Sequence, residues 1–310
     1  MLSKRKKRVI GWKMYDFEKG RIKFIHGGRY PHCHSVFIDD ERRALIDAAS
    51  NEQTLLAIQR ERPVQVLINS HGHEDHLLYN HLFPEAEFWV HEADAHVFEH
   101  VQNLIDCYGE EVEETERQRW ADFLINTCHY VPRRSDRFLR HGEVIEFGEV
   151  RMEVVHTPGH TPGHCAFYFP QERILFTADL DLVKAGPYYG DVASSLEDTV
   201  ESLNLLKSYP CDIYLTSHGK GIYEGDGIHI DRYLASIRHR EEALVEFLRT
   251  GPRTLDDITD LGIIYGPRKA FLGPGDLSVS ERSMMEKHLD SLIGRGVVRQ
   301  EGDHFLYVSR

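Results

Sequence analysis

The sequence predicts an α/β fold, with two β-sheets sandwiched between helices, followed by a smaller unit of three helices and a hairpin. Three features predict it. Short apolar runs alternate with helical patterns, twice over, through the first part of the chain. The main groups of histidine and aspartate directly follow predicted strands. Beyond about residue 230 the pattern changes to long helical spacing, so we expect two domains, 1–229 and 230–310. A chain of 310 residues, 41% hydrophobic and 28% charged, is long enough for one large core and one small one.

Segments 21–24, 35–39 and 43–47 read as strands, the last closing in Leu45-Ile46-Asp47. Residues 51–60 read as a helix and 64–69 as a buried strand, followed at once by a histidine-rich stretch. Residues 88–90 make another strand, and 93–127 carry helical spacing with many charges, which predicts a helical insertion. A second β-rich stretch starts near Val144, with strands at 150–156, 165–169 and 174–177 bounded by Pro and Gly turns. A helix at 195–209 and a strand at 212–216 complete it. In the tail, 231–249 is a long helix, 254–264 a second capped by Thr254, and a third runs from Ser278 or Ser280 to Ile293. Residues 297–300 and 305–308 pair as a hairpin around Gly302-Asp303. Three helices and a terminal hairpin form the pattern of a winged helix.

Composition narrows the function. No apolar run is long enough to cross a bilayer. The basic residues at 1–8 are followed by Gly11-Trp12-Lys13-Met14-Tyr15-Asp16, which is no signal-peptide core, so we expect a cytoplasmic protein with a solvated basic tip. The five cysteines, Cys33, Cys107, Cys128, Cys165 and Cys211, form no C-x-x-C pair and read as free thiols. A net charge of −13 argues against a large nucleic-acid footprint.

The strongest chemical signal is Ser70-His71-Gly72-His73-Glu74-Asp75-His76, four ligand types on a loop just past a buried strand. His71 and His73 suit one ion, Asp75 and His76 a second. Imidazole with carboxylate suits zinc, iron or manganese better than calcium or magnesium. The second signal is His156-Thr157-Pro158-Gly159-His160-Thr161-Pro162-Gly163-His164, a tight turn that presents His160. Its flanking His156 and His164 read as supporting groups that orient ligating imidazoles. The third and fourth are Leu175-Phe176-Thr177-Ala178-Asp179 and Thr216-Ser217-His218-Gly219-Lys220. Either is weak alone. Jointly, all four groups lie at the C-terminal ends of predicted strands and so meet on one rim. His32-Cys33-His34 reads as pocket wall or core in preference to a ligand set.

The order H-x-H-x-D-H, T-P-G-H-T, F-T-A-D and S-H-G resembles the metallo-β-lactamase superfamily over roughly residues 20–225, and within it the glyoxalase II-like branch. The resemblance implies an αββα sandwich with a small C-terminal winged-helix domain. It implies that His71, His73 and His160 hold a first ion, that Asp75, His76 and His218 hold a second, and that Asp179 bridges both. F-T-A-D stands where the family usually has F-T-G-D, and Asp47 falls where it has a strand-end aspartate near the site. The helical thiol-binding domain of glyoxalase II is not apparent, which argues against a glutathione thioester.

The implied function is a dinuclear hydrolase holding two divalent transition-metal ions, zinc first, with iron or manganese as alternatives. A hydroxide bridging the ions attacks an ester, thioester or lactone of a small molecule. Asp75 is the candidate catalytic residue, accepting a hydrogen bond from that hydroxide. His34, Tyr188 and Tyr189 are candidate pocket residues. Two alternatives stand beside this reading. Some β-lactamase-like hydrolases with a winged-helix tail are ribonucleases, which makes single-stranded RNA a second candidate partner. A non-catalytic sensor reading DNA through the winged helix is the other, although helix 280–292 mixes Arg282 and Lys287 with Glu281, Glu286 and Asp290. One-iron persulfide dioxygenase chemistry is set aside because such enzymes lack a full second site. No membrane partner is expected, and a homodimer is left open.

Overall fold

The computed structural model describes residues 14–109, 113–266 and 277–308; the basic tip at 1–8 lies outside them. The first sheet contains β1 (Phe17–Lys19), β2 (Ile22–Ile25), β3 (Ser35–Ile38), β4 (Ala44–Ile46), β5 (Val66–Ile68), β6 (Glu87–His91) and β7 (Arg137–Leu139), in that spatial order. The second contains β8 (Val144–Glu146), β9 (Arg151–His156), β10 (Cys165–Phe169), β11 (Ile174–Phe176), β12 (Ile213–Leu215) and β13 (Ile222–Glu224), again in chain order. β4 through β7 are parallel, as are β11 and β12; the remaining pairs are antiparallel.

The strands are apolar on both faces, as strands covered on both sides must be. Alternate residues divide between two cores. Val36 and Ile38, Val66 and Ile68, and Phe167 and Phe176 meet in one core between the sheets. Phe37, Leu67 and Phe88 face the opposite side of the first sheet, with Leu55 and Ile58 of α1 (Glu52–Glu61). Beyond a short α2 (Glu74–Leu77), that side is also covered by α3 (Ala95–Glu99), α4 (Val101–Asp106) and α5 (Glu114–Asn126). The predicted helical insertion is thus three pieces; His100, extended at φ −145 and ψ 131, separates α3 from α4. On the outer face of the second sheet, Val155, Leu175 and Tyr214 pack with α6 (Leu196–Lys207) and the first half of α7 (Ile228–Arg249). The result is four layers, helix, sheet, sheet, helix.

α7 continues into a fourth core. Its Leu244 and Leu248 pack with Ile258 of α8 (Leu255–Leu261) and Met285, Leu289 and Leu292 of α9 (Leu277–Gly294). β14 (Arg253–Thr254), β15 (Val298–Glu301) and β16 (His304–Tyr307) form a three-stranded sheet there, in the order β14-β16-β15. Thr254 caps α8 in a reciprocal capping box with Asp257. Strands β1, β7, β13 and β14 carry no sequence signal of their own, being two or three residues long at sheet edges.

Candidate metal centre

The ends of the strands place the chemistry. β5 runs into His71, His73, Asp75 and His76; the turn after β9 carries His160; β11 leads to Asp179 and β12 to His218. All seven side chains gather on one rim, in two groups. His71, His73, His160 and Asp179 form one; Asp75, His76 and His218 form the other.

In the first group, His71 Nε2 lies 3.1 Å from His73 Nδ1 and 3.2 Å from His160 Nε2, and His73 Nδ1 lies 3.0 Å from His160 Nε2. The partners of the remote ring nitrogens assign a proton to each of them. His73 Nε2 donates to Asp191 Oδ2 at 2.7 Å, and His160 Nδ1 donates to the Tyr188 carbonyl at 2.9 Å. Ser70 Oγ gives its single proton to Asp47 Oδ2 at 2.8 Å, so it accepts from His71 Nδ1 at 3.0 Å. Three inward ring nitrogens therefore converge on one point. Such an arrangement needs a proton or a metal cation among the nitrogens to offset their mutual repulsion. Nitrogens about 2.0–2.1 Å from a zinc ion stand about 3.3–3.4 Å apart at tetrahedral corners, close to this triangle. Asp179 Oδ2, 3.4 Å from His160 Nε2 and 4.0 Å from His71 Nε2, is the fourth donor of this group.

In the second group, His76 Nδ1 faces Asp47 Oδ2 at 3.0 Å, leaving Nε2 inward. His76 Nε2 and Asp179 Oδ1 are 2.9 Å apart, yet neither has a hydrogen-bond partner. Both are buried where the two ligand groups meet. His218 Nε2 stands 3.3 Å from Asp75 Oδ2 and 3.4 Å from Asp179 Oδ1. Asp179 thus turns one oxygen to each group. The donor set and the orphaned atoms fit two transition-metal ions. Among the described residues, the ion-pair partners of Asp75 and Asp179 are all histidines.

Burial, then the neighbouring His76, holds His71 well below the usual histidine range, so it stays neutral. Burial also lowers His160, with His73 adding to it, to about 4. For His73 burial opposes the charge, but Asp191 outweighs it and raises the ring to about 9, a basic imidazole that makes a strong donor. Burial alone would raise Asp179; His218 and His76 instead hold it well below the usual carboxylate range.

Several supports were not legible as site residues in the sequence. Asp191 follows no periodic pattern. Asp94 accepts from the Gly72 and Gly163 backbone N–H groups and from Thr161 Oγ1, tying the two histidine loops together. It stands shortly after β6, so the strand-end signal used for Asp179 was present there too. His164 accepts from the Asp179 N–H at 3.2 Å, and His156 Nε2 donates to the Pro162 carbonyl at 2.8 Å. His34 is buried; its Nδ1 accepts from Gly27 N–H and its ring lies 4.1 Å from that of His26. Tyr188 is partly buried and Tyr189 wholly so.

A protein-family profile described as the metallo-beta-lactamase superfamily matches residues 29–218. The chain belongs to the metallo-beta-lactamase superfamily. A hydroxyacylglutathione hydrolase from Haemophilus influenzae is 27% identical over 157 residues, 48% of this chain and 66% of that protein. Another of that name from Rhizobium meliloti is 27% identical over 173 residues, 55% of this chain and 65% of its own length. In both cases the match spans just under two thirds of the relative. Among solved structures, a metallo-beta-lactamase family protein from Thermus thermophilus superposes with a TM-score of 0.70 at 23% identity, covering 93% of this chain and 99% of that one. The superposition extends the shared fold beyond the metallo-beta-lactamase segment into the C-terminal helices.

Proposed function

We propose that this chain is a metal-dependent hydrolase that cleaves an ester, thioester or lactone in a small molecule. The observation that carries the reading is the convergence of three histidine ring nitrogens beside an aspartate whose two oxygens face different ligand groups. We assign His71, His73, His160 and Asp179 to one divalent ion, and Asp75, His76, His218 and the same Asp179 to a second. Zinc suits this donor set best, with iron or manganese next. Bound there, the ions supply Lewis-acid polarisation of the scissile group and acidify water.

The protein's own residues do the rest. Asp75 accepts a hydrogen bond from the attacking water and orients it. Tyr188, over His160 with ring centroids 5.7 Å apart, borders the substrate on one side. Of the three pocket candidates Tyr188 is the strongest, because Tyr189 and His34 are buried. The names of the relatives favour an acyl derivative of a thiol. The C-terminal helices and three-stranded sheet suit a winged-helix-like unit over 230–310, following a hydrolase unit over 1–229.

The test is metal content and hydrolysis on the full chain, stripped with chelator and reloaded, against thioester, lactone, phosphodiester and RNA substrates. We expect two ions per chain, and acyl hydrolysis lost on stripping and regained on reloading. Asp179→Ala should lose at least one ion and at least about 100-fold in rate. Saturation at one ion with His218 intact, or hydrolysis that survives complete stripping, overturns the reading.

A further inference from the structure

The segment between β11 and α6 has two faces. Toward the metal centre it presents the Tyr188 carbonyl, which takes the His160 Nδ1 proton, and Asp191, which takes the His73 Nε2 proton. Away from it, the same segment is held by the C-terminal helices. Arg240 of α7, only 5% exposed, donates through Nη1 to the Pro187 carbonyl at 2.7 Å and to Tyr189 Oη at 2.8 Å. Its Nη2 donates to the Ala185 carbonyl at 2.6 Å. Tyr189 passes its own proton to His288 Nε2 of α9 at 2.9 Å, and Ser283 Oγ donates to the Gly190 carbonyl at 2.6 Å. Carbonyls 185, 187 and 190 are thus tied to α7 and α9, while residues 188 and 191 orient two histidines.

We propose that Arg240 is a positioning residue through which the C-terminal helices set the affinity of the first metal site. This rests on the metal assignment above. The physical reason is geometric. A planar guanidinium reaches two carbonyls and a phenol at fixed angles, which a single ammonium does not reproduce. The backbone leaves little slack beneath it. Gly186 has φ +86, and a Cβ there would stand 2.2 Å from Ser236 Oγ and 2.8 Å from Arg240 Nη2. If the carbonyls at 185 and 187 are released, Tyr188 and Asp191 lose their placement, and His160 and His73 lose the acceptors that fix their rings. Losing such outer acceptors typically weakens metal binding about 10–100-fold. The second group takes its support from Asp47, and the ligand it shares with this segment, Asp179, is held at the β11 end by His164 and not by Arg240, so it should be spared. The coupling is reciprocal: an ion at the first site should tighten the packing of the segment against α7 and α9.

The test is stepwise metal affinity, by competition with a chromophoric chelator, together with the absorption of cobalt loaded at each site. The proteins are full-length wild type, Arg240→Met, Arg240→Lys and Ser283→Ala, each checked for folding without metal by circular dichroism. We expect Arg240→Met to weaken the His71, His73 and His160 site about 10–100-fold and leave the other unchanged, with partial rescue in Arg240→Lys. Ser283→Ala should show a smaller loss at the same site, and it decides the matter if Arg240→Met does not fold. Wild-type affinity at both sites in the folded variants overturns the proposal, as does equal loss at both. A wild-type chain that binds no metal would instead overturn the metal assignment itself.

Discussion

At the scale of single residues, Asp47 shows how much of the centre rests on one carboxylate. It is fully buried, with a positive φ of 55, a conformation that Asp and Asn tolerate better than most side chains. It accepts from Ser70 N–H and Oγ at 2.8 Å each and faces His76 Nδ1 at 3.0 Å. Through Ser70 it orients His71, so it supports both ligand groups. Asp47→Asn keeps the backbone but turns a donor toward one of these donors. We expect chelator competition to show both metal sites weakened, about 10–100-fold. Wild-type affinity at both would show that the carboxylate is dispensable. Asp47 closes a predicted strand, and the family resemblance implied that it lies near the site. Asp191 had neither guide: it meets His73 from 118 residues away, and its local sequence carries no strand-end signal.

At the scale of elements, the turn bearing His160 is docked on the start of α6. Ser195 N–H donates to the Gly159 carbonyl, Ser194 Oγ to the His160 carbonyl and Ser202 Oγ to the Pro158 carbonyl. Gly159 has φ +125, and a Cβ there would lie 2.4 Å from the Thr199 backbone nitrogen. Gly159→Ala must therefore lift the turn from the helix. The cost is about 1–3 kcal/mol of stability in chelated protein, read by denaturant unfolding. A selective loss of affinity at the first metal site should accompany it. An alanine variant matching wild type in both would refute this docking. One departure from the family pattern is visible at the same scale. Ala178, in the F-T-A-D motif, has a positive φ of 48, where glycine carries no steric penalty.

At the scale of the whole molecule, α7 joins the second sheet's outer core to the C-terminal core, and His288 sits beside that joint. His288 is fully buried, and burial, then Arg240 and Arg295, pushes it down to about 3. Its folded pKa lies below its unfolded value of about 6.5, so between the two the unfolded chain binds the extra proton. Stability from this group is complete above about pH 6.5 and falls as pH drops toward 3, by about 1.4 kcal/mol per pH unit. Metal-free wild type should therefore lose more stability between pH 7 and pH 5 than His288→Gln, by about 2 kcal/mol. Equal losses in the two proteins would show that His288 is not held neutral by the fold.

The sequence alone was enough to lay out the layered fold and to single out the residues that gather on the rim. Both are written locally. Strands covered on both sides need continuous apolar runs, and side chains that share a centre recur as His and Asp just past strand ends. Only the tertiary structure decided which ring nitrogen each histidine turns inward, with Nδ1 for His73 and Nε2 for His71, His76 and His160. It alone also placed Asp94, Asp191 and Arg240. These groups act through a few hydrogen bonds across long chain separations, and such contacts leave no period or spacing in a sequence. Their partners exist only once the two sheets and the C-terminal helices have packed.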